Sequence, residues 1–161
     1  FAMQQINKQG IKNAIQNIYN SKTKLLGICI GMQIMFDQGF EFEKTEGLGL
    51  ISGEVIPIPN RSTNGDKLSL PHMGWNGLVN TESYKNWDGT LLTNNREKDE
   101  VYFIHSFMAV PKKKSYQVAN CIYGGHRITA VIKKDNITGC QFHPEKSGTA
   151  GLKIIKEFIK S

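Results

Sequence analysis

The sequence is poor in the features that mark membrane, secreted and nucleic-acid-binding proteins. Its longest nearly apolar run, residues 25–36, has 12 residues, and a bilayer-spanning helix needs about 20, so we exclude a membrane span. Three cysteines are an odd number, which argues against a disulfide framework and favours a reducing, cytoplasmic setting. Arginine occurs only at positions 61, 96 and 127 although the net charge is +6, so we expect a solvated basic face and no nucleic-acid partner.

The start of the chain also lacks the usual signals. Residue 1 is Phe and not Met, and no basic segment precedes an apolar one, so no signal peptide is predicted. Because the sequence opens within a segment of helical spacing, we expect the N-terminal part of the natural protein to be missing from it. A length of 161 residues corresponds to one domain. We therefore expect residues 1–161 to form a single domain that is N-terminally incomplete.

The spacing of apolar residues predicts an α/β domain with a strand-rich middle. Helical periodicity covers residues 3–19, with a break at Gly10, and recurs over 32–36 and 151–160. Glycine-rich or polar connections are predicted at 39–50 and 60–67. The predicted strands are 25–28, 54–58, 78–80, 101–108, 116–123, 128–133 and 137–142, the last three joined by turns at Gly124-Gly125 and Asp135-Asn136.

A potentially reactive thiol, Cys29, lies between Gly27 and Gly31, after an apolar strand and before a helix. This pattern is typical of a nucleophile elbow, whose tight turn needs small neighbours. At a helix N-terminus, free N–H groups and the helix dipole favour a thiolate. The N–H of Ile30 would face an oxyanion formed beside the sulfur. The segment alone is equally compatible with a buried structural thiol on a core strand.

A second candidate segment, residues 141–145, follows a predicted strand and contains His143, Pro144 and Glu145. His143 is a candidate general base, and Glu145 could orient its ring if the chain bends at the proline. A surface turn is the alternative for this segment by itself. Both candidate segments follow strands, where α/β sheets form their active sites, so together they favour nucleophilic catalysis. Cys121 and Cys140 lie in strand patterns without such an elbow and are expected in the core.

These two segments resemble the signatures of the class I, triad-type glutamine amidotransferases. A finer resemblance is to the glutaminase subunits of imidazole glycerol phosphate synthase, and it extends over essentially the whole sequence. Four further stretches support it: Thr45–Ile51, Pro71–Asn76, Tyr102–Ser106, and Glu145–Ser147 with the nearby Gly151. The resemblance implies an open mixed sheet flanked by helices, with one or two N-terminal βα units and a glycine-rich loop that are absent from this sequence. That loop supplies the second oxyanion N–H in the family.

The resemblance also implies a reaction, the hydrolysis of L-glutamine to L-glutamate and ammonia. Cys29 would attack the side-chain amide carbon and form a thioester. His143 would accept the thiol proton, protonate the departing ammonia and activate water, and Glu145 would hold His143. The N–H of Ile30 would stabilise the oxyanion. No cofactor and no metal are expected.

Residues that contact glutamine are implied by the same resemblance. Gln33 lies four residues after Cys29 and so on the same helix face. It corresponds to a residue that contacts the substrate, and Gly31 lies beside it. The backbone around His105 and Ser106 is expected to border the same pocket.

A partner subunit is implied as well. The ammonia would enter a (β/α)₈-barrel cyclase subunit of a cytoplasmic heterodimer, which forms imidazole glycerol phosphate and an aminoimidazole carboxamide ribotide in histidine biosynthesis. Met73, Trp75, Asn76 and Lys146 are candidate interface residues, although Trp75 by itself would be assigned to the core. Two alternatives remain open. One is a paralogous glutaminase for another amidation, such as modification of a surface sugar, and the other is a non-catalytic binding module of the same fold.

Overall fold

The computed structural model describes residues 3, 5–6, 10–41 and 43–160, which form a mixed α/β structure. Helix α1 spans Ile11–Asn20, α2 spans Ile30–Gln33 and α3 spans Gly148–Lys160. Residues 3, 5 and 6 are also helical, and Gly10 separates them from α1 with a left-handed backbone (φ 67°), as the predicted break requires. The other residues of the predicted helix before Gly10 lie outside the described part of the chain.

The strands of the described residues form three sheets. In sequence order the strands are β1 (Leu25–Ile28), β2 (Phe36–Gly39), β3 (Thr45–Glu46), β4 (Ile51–Pro57), β5 (His72–Gly77), β6 (Val79–Asn80), β7 (Glu100–His105), β8 (Phe107–Pro111), β9 (Gln117–Tyr123), β10 (His126–Lys134) and β11 (Ile137–Cys140). The main sheet has the order β1-β11-β10-β9-β6, the second has the order β3-β2-β4-β8, and β5 pairs with β7 alone. Within the main sheet, β1 and β11 are parallel, while β9, β10 and β11 form an antiparallel meander with the predicted turns between its strands.

The core lies on the main sheet and between it and the second sheet. One apolar cluster contains Phe103 and Phe142 together with buried residues of β9 and β10. The other includes Met32 of α2 and Phe36 of β2, which pack near Ile137 of β11. Gly139 allows this approach, because a Cβ there would lie 2.4 Å from Cγ of Met32. The helix after Cys29 is therefore packed directly on the strand that leads to His143.

The helix predicted over residues 32–36 is wrong at both ends. Helix α2 begins at Ile30 and ends at Gln33, and Phe36 already belongs to β2, where it pairs with Ile51 of β4. Residues 39–50, predicted as a loop, include the short strand β3, which pairs with β2. Both differences arise from strand pairing with distant residues, which overrides the local apolar spacing.

The strand predicted over residues 101–108 is two strands that belong to different sheets. The chain leaves β7 after His105 and enters β8 at Phe107, so that β7 pairs with β5 and β8 pairs with β4. Strand β5 itself was not predicted, because its polar and glycine-containing sequence has no clear alternation. No helix in the described part of the chain is long and apolar enough to cross a membrane.

Candidate active site

Cys29 lies in a sharp turn between β1 and α2. Its backbone has φ 52° and ψ −112°, a conformation that L-residues rarely adopt. Gly27 is required by close packing, because a Cβ at this position would lie 2.5 Å from the carbonyl oxygen of Gly31. A Cβ at Gly31 would meet no heavy atom within 4 Å. The turn therefore has the shape of a nucleophile elbow, closed on the side of Gly27 and open on the side of Gly31.

The sheet brings the two candidate segments together. Ile28 is opposite Cys140 in the parallel register of β1 and β11, and the N–H of Cys29 donates to the carbonyl oxygen of Cys140 at 2.7 Å. His143 follows Cys140 by three residues. Cys29 thus comes directly after the carboxyl end of β1, and His143 follows the carboxyl end of the neighbouring parallel strand β11 by three residues.

His143 and Glu145 form a hydrogen-bonded pair. A single 3₁₀ turn, Pro144–Lys146, returns the chain so that Nδ1 of His143 lies 2.6 Å from Oε1 of Glu145. A carboxylate only accepts, so Nδ1 carries the proton and donates to Glu145. In the neutral ring, Nε2 is then the nitrogen without a proton. The side chain of His143 is mostly buried and that of Glu145 is about half exposed.

The backbone of His143 is held by strand β7. Its N–H donates to the carbonyl oxygen of Tyr102 at 2.9 Å. The hydroxyl of Ser147 donates to the carbonyl oxygen of His143 at 2.6 Å and accepts from the N–H of Tyr102 at 3.0 Å. Gly151 lets α3 pack on this turn, because a Cβ there would lie 1.9 Å from the carbonyl oxygen of Pro144. These contacts fix the position of the imidazole through its main chain.

The thiol of Cys29 is held in its neutral form. Burial raises its pKa, the hydrogen bond from the Ile30 N–H lowers it, and the negative charge of Glu145 raises it further. The raised pKa of Cys29 opposes the thiolate that a helix N-terminus favours, because burial removes water from around the sulfur and α2 has only four residues. A neutral thiol needs a base before it can act as a nucleophile.

Gln33 points towards the strands of the site. Its Nε2 donates to Oε1 of Gln141 at 2.9 Å and to the carbonyl oxygen of Phe107 at 3.1 Å. Nε2 of Gln141 lies 3.9 Å from Sγ of Cys29, and Sγ lies 3.9 Å from the carbonyl oxygen of Ile104. Gln141 thus joins Gln33 to the sulfur. This bridge was not predicted, although Gln141 lies inside the second candidate segment.

A small cavity of about 90 Å³ opens beside Gln33. Its lining includes Ile30, Gln33 and Phe107 together with two acidic residues near β2 and β3, Glu41 and Glu46. Neither glutamate was predicted from the sequence. Their signal was two acidic residues in a glycine-containing connection shortly after the elbow, which was treated only as a loop.

His105 and Ser106 lie at the junction of β7 and β8. The ring of His105 is buried, with Nδ1 2.8 Å from the carbonyl oxygen of Phe107 and Nε2 3.1 Å from Nδ1 of His72. The carbonyl oxygen of Ser106 accepts from the N–H of Ile58 at 2.9 Å. The junction is thus held by the bond of the His105 ring to Phe107 and by the backbone bond between Ile58 and Ser106.

The candidate interface residues of β5 are largely on the surface. Met73 is 62% exposed and Trp75 is 54% exposed, so an assignment of Trp75 to the core would be wrong. Their register partners on β7 are Ile104 and Tyr102, and the Trp75 and Tyr102 rings meet edge to face with centroids 6.0 Å apart. Asn76 is different, because its Nδ2 donates to the carbonyl oxygen of Ile122 at 2.9 Å. Lys146 is exposed, on the turn after His143.

The other two cysteines are packed in the core, as predicted. Cys121 and Cys140 are both fully buried among apolar side chains. Burial raises the pKa of Cys121 to about 12 and that of Cys140 further still. No group of three or more His, Cys, Asp or Glu side chains able to hold a metal ion occurs in the described residues.

The fold and the site define a mixed α/β protein with a cysteine in a nucleophile-elbow turn after β1 and a histidine–carboxylate pair after the neighbouring strand β11. Residues 5–161 match the family described as "Glutamine amidotransferase class-I". The chain belongs to this family and, within it, to the HisH subunits of imidazole glycerol phosphate synthase, to which the following relatives are assigned.

A subunit named "Imidazole glycerol phosphate synthase subunit HisH 1" from Legionella pneumophila (strain Lens) is 47% identical over 146 residues, which are 91% of this chain and 68% of the relative. The HisH subunit from Geobacillus sp. (strain WCH70) is 40% identical over 157 residues, 98% of this chain and 71% of the relative. Among solved structures, PurLQS from Thermotoga maritima has a TM-score of 0.64 at 21% identity over 93% of this chain and 67% of that chain, which shows the shared fold.

Proposed function

We propose that this protein hydrolyses L-glutamine with a triad of Cys29, His143 and Glu145 and delivers the ammonia to a synthase partner in histidine biosynthesis. The observation that supports the triad most directly is the 2.6 Å contact between Nδ1 of His143 and Oε1 of Glu145. It fixes the ring tautomer with Nε2 unprotonated, as a general base requires. Glu145 then stabilises the imidazolium that forms when the thiol loses its proton.

The reaction begins with a neutral thiol, because burial and the charge of Glu145 raise the pKa of Cys29. We propose that His143 removes the proton as the sulfur attacks the amide carbon of glutamine. The resulting imidazolium delivers the proton to ammonia as the thioester forms, and the neutral ring then activates a water molecule that releases glutamate. The N–H of Ile30 is directed at the sulfur and would serve as one oxyanion donor.

The cavity beside Gln33 is the proposed binding site for the amino-acid end of glutamine. The substrate carries an α-ammonium group, and Glu41 and Glu46 offer carboxylates for it. Gly31 leaves room beside Cys29 for the amide end. We propose Gly31, Gln33 and the backbone of residues 105–106 as further parts of this site.

The partner is proposed to be a (β/α)₈-barrel cyclase that docks on the outer face of β5 and β7 in a cytoplasmic heterodimer. This face presents Met73, Trp75 and Ile104 to solvent, with Lys146 and Asn76 as further candidate contacts. The carbonyl group of Ile104 lies beside Sγ of Cys29, so a partner on this face would lie close to the point of ammonia release. The alternative of a non-catalytic module has no support in the family assignment. We also propose that residues 1–161 form a single domain.

The test is a glutaminase assay of the full protein with its synthase partner, for wild type and Cys29→Ser. We expect glutamate release by wild type, its loss in the variant, and unchanged synthesis when free ammonia replaces glutamine. A glutamine-analogue electrophile should modify Cys29 and spare the two buried cysteines. Modification of Cys121 or Cys140 instead, or glutamate release by Cys29→Ser, would contradict the triad. Glutamate release that does not rise with the synthase partner would contradict the assigned pathway and favour another ammonia acceptor.

A further inference from the structure

A buried pair of histidines lies between the β5 surface and the glutamine cavity, and the triad does not use it. His72 on β5 and His105 on β7 are register partners, and their ring nitrogens Nδ1 and Nε2 are 3.1 Å apart. Only 3% of His72 and 6% of His105 is exposed. The ring of His72 stacks on Phe103 and Tyr123, and that of His105 is tilted against Phe103. Burial lowers the pKa of both histidines, so both are neutral at pH 7.

The tautomer of His105 follows from its partner. Nδ1 of His105 lies 2.8 Å from the carbonyl oxygen of Phe107, and a carbonyl oxygen only accepts, so Nδ1 carries the proton. Nε2 of the neutral ring is then an acceptor. The donor that faces it is Nδ1 of His72, which leaves Nε2 of His72 as an acceptor opposite Nδ2 of Asn76 at 3.5 Å. In this series of hydrogen bonds, Asn76 donates to His72, His72 donates to His105, and His105 donates to Phe107.

The carbonyl oxygen of Phe107 connects this series of hydrogen bonds to the proposed substrate site. It accepts from His105 and from Nε2 of Gln33, which uses both of its lone pairs. Nε2 of Gln33 also donates to Oε1 of Gln141, so both of its hydrogens are engaged. The amide of Gln33 therefore has a fixed orientation, with Oε1 as the group left to accept from a substrate N–H.

We propose that His105, held in one tautomer by His72, is a positioning residue for glutamine: it fixes the Phe107 carbonyl group and thereby the amide of Gln33. The ring of His105 acts through Phe107, whereas only the backbone of residues 105–106 is proposed to border the substrate. Its loss should weaken substrate binding more than it slows the chemistry, because Cys29, His143 and Glu145 are held by separate contacts. The proposal rests on the proposed glutaminase function.

Three substitutions of His105 test the Nδ1–H donor and the Nε2 acceptor of its ring separately. In His105→Asn the amide N–H takes the place of Nδ1–H, whereas in His105→Gln the polar atoms reach only the place of Nε2, and His105→Phe has neither. We expect the KM for glutamine to rise about tenfold in the Gln and Phe variants, with kcat changed less than about threefold, and to return close to wild type in the Asn variant. His126→Asn, a histidine bonded to the carbonyl oxygen of Arg61, is the matched control and should leave KM unchanged.

The assays use the full protein with its synthase partner. An Asn variant with the same KM as the Phe variant, or a loss confined to kcat, would overturn the proposal. A wild-type protein that releases no glutamate would instead refute the proposed function.

Histidine ¹⁵N NMR of the wild-type protein provides a test that needs no variant and holds even where a substitution prevents folding. We expect the Nδ1–H tautomer for both His72 and His105. An Nε2–H tautomer at His105 would overturn the proposal, because the donor to Phe107 would then be absent.

Discussion

The N–H of Cys29 and the carbonyl oxygen of Cys140 form a 2.7 Å hydrogen bond that continues the pairing of β1 and β11 beyond the last residue of β1. This bond ties the backbone of the proposed nucleophile to the strand that leads to His143. The relative position of the two proposed catalytic residues is therefore set by the backbone of a sheet, which is stiffer than contacts between side chains.

Gly27 should be the most sensitive glycine of the elbow. In Gly27→Ala the new Cβ would meet the carbonyl oxygen of Gly31 at 2.5 Å and Cε of Met35 at 2.6 Å. We expect the free energy of unfolding to fall by about 1–3 kcal/mol, as is usual for overpacking, and glutaminase activity to fall with it. Urea unfolding curves measure the first effect.

Gly31→Ala is the matched control, because a Cβ there meets no heavy atom within 4 Å. The free energy of unfolding of this variant should change by less than about 1 kcal/mol. Equal destabilisation by the two substitutions would show that the turn does not pack as described.

Glu145→Gln should slow the reaction while it activates the thiol. The amide can still accept from Nδ1 of His143 but carries no charge to stabilise the imidazolium, so we expect kcat for glutaminase activity to fall by about 10²–10⁴-fold. The negative charge of Glu145 raises the pKa of Cys29, so its removal should move the pH profile of Cys29 alkylation by iodoacetamide to lower pH.

The control for this pair of measurements is Glu82→Gln, which removes a carboxylate that forms an ion pair with the exposed Lys114. Neither the kcat nor the alkylation profile should change in it. An alkylation profile that moves to higher pH in Glu145→Gln would mean that Glu145 acts on the thiol by some route other than its charge.

Trp75→Ala should separate docking from folding. The side chain is 54% exposed and contacts Tyr102 edge to face, so the free energy of unfolding should change by only about 0.5 kcal/mol. If this face is the docking surface, the Kd for the synthase partner should rise more than about tenfold, as for an aromatic anchor. Ile159→Ala, at a 77% exposed position near the end of α3, should leave the Kd unchanged in the same titration. Equal affinity of the Trp75 variant and wild type would place the interface elsewhere.

The free energy of unfolding should depend on pH because the pKa of His72 differs between the folded and the unfolded protein. Burial and the neighbouring His105 lower the pKa of His72 from 6.5 to about 4 in the folded protein. Between these values the unfolded chain binds a proton that the folded chain does not, so the stabilisation present above pH 6.5 is lost as the pH falls towards 4. His72→Gln should flatten this part of the curve of unfolding free energy against pH, measured by urea unfolding. A variant with the wild-type slope would contradict this assignment.

Short-range patterns in the sequence were sufficient to predict the turn at Cys29 and the contact between His143 and Glu145. Two glycines around Cys29 predicted a tight turn, and the structure has one, since the close approach of Gly27 and Gly31 is a local steric matter. The segment from His143 to Glu145 predicted a bend at the proline that brings carboxylate to imidazole, and that contact depends on three consecutive residues. The hairpin turns of the meander were also encoded locally.

The sequence by itself thus determined the elbow, the histidine–carboxylate pair and the strands that carry them. Only the tertiary structure decided the division of residues 101–108 between two sheets, the exposure of Trp75, the neutral state of the Cys29 thiol and the hydrogen-bond chain from His72 to Gln33. Pairing, burial and desolvation depend on residues that are far apart in the chain, and apolar spacing within a segment contains no information about them.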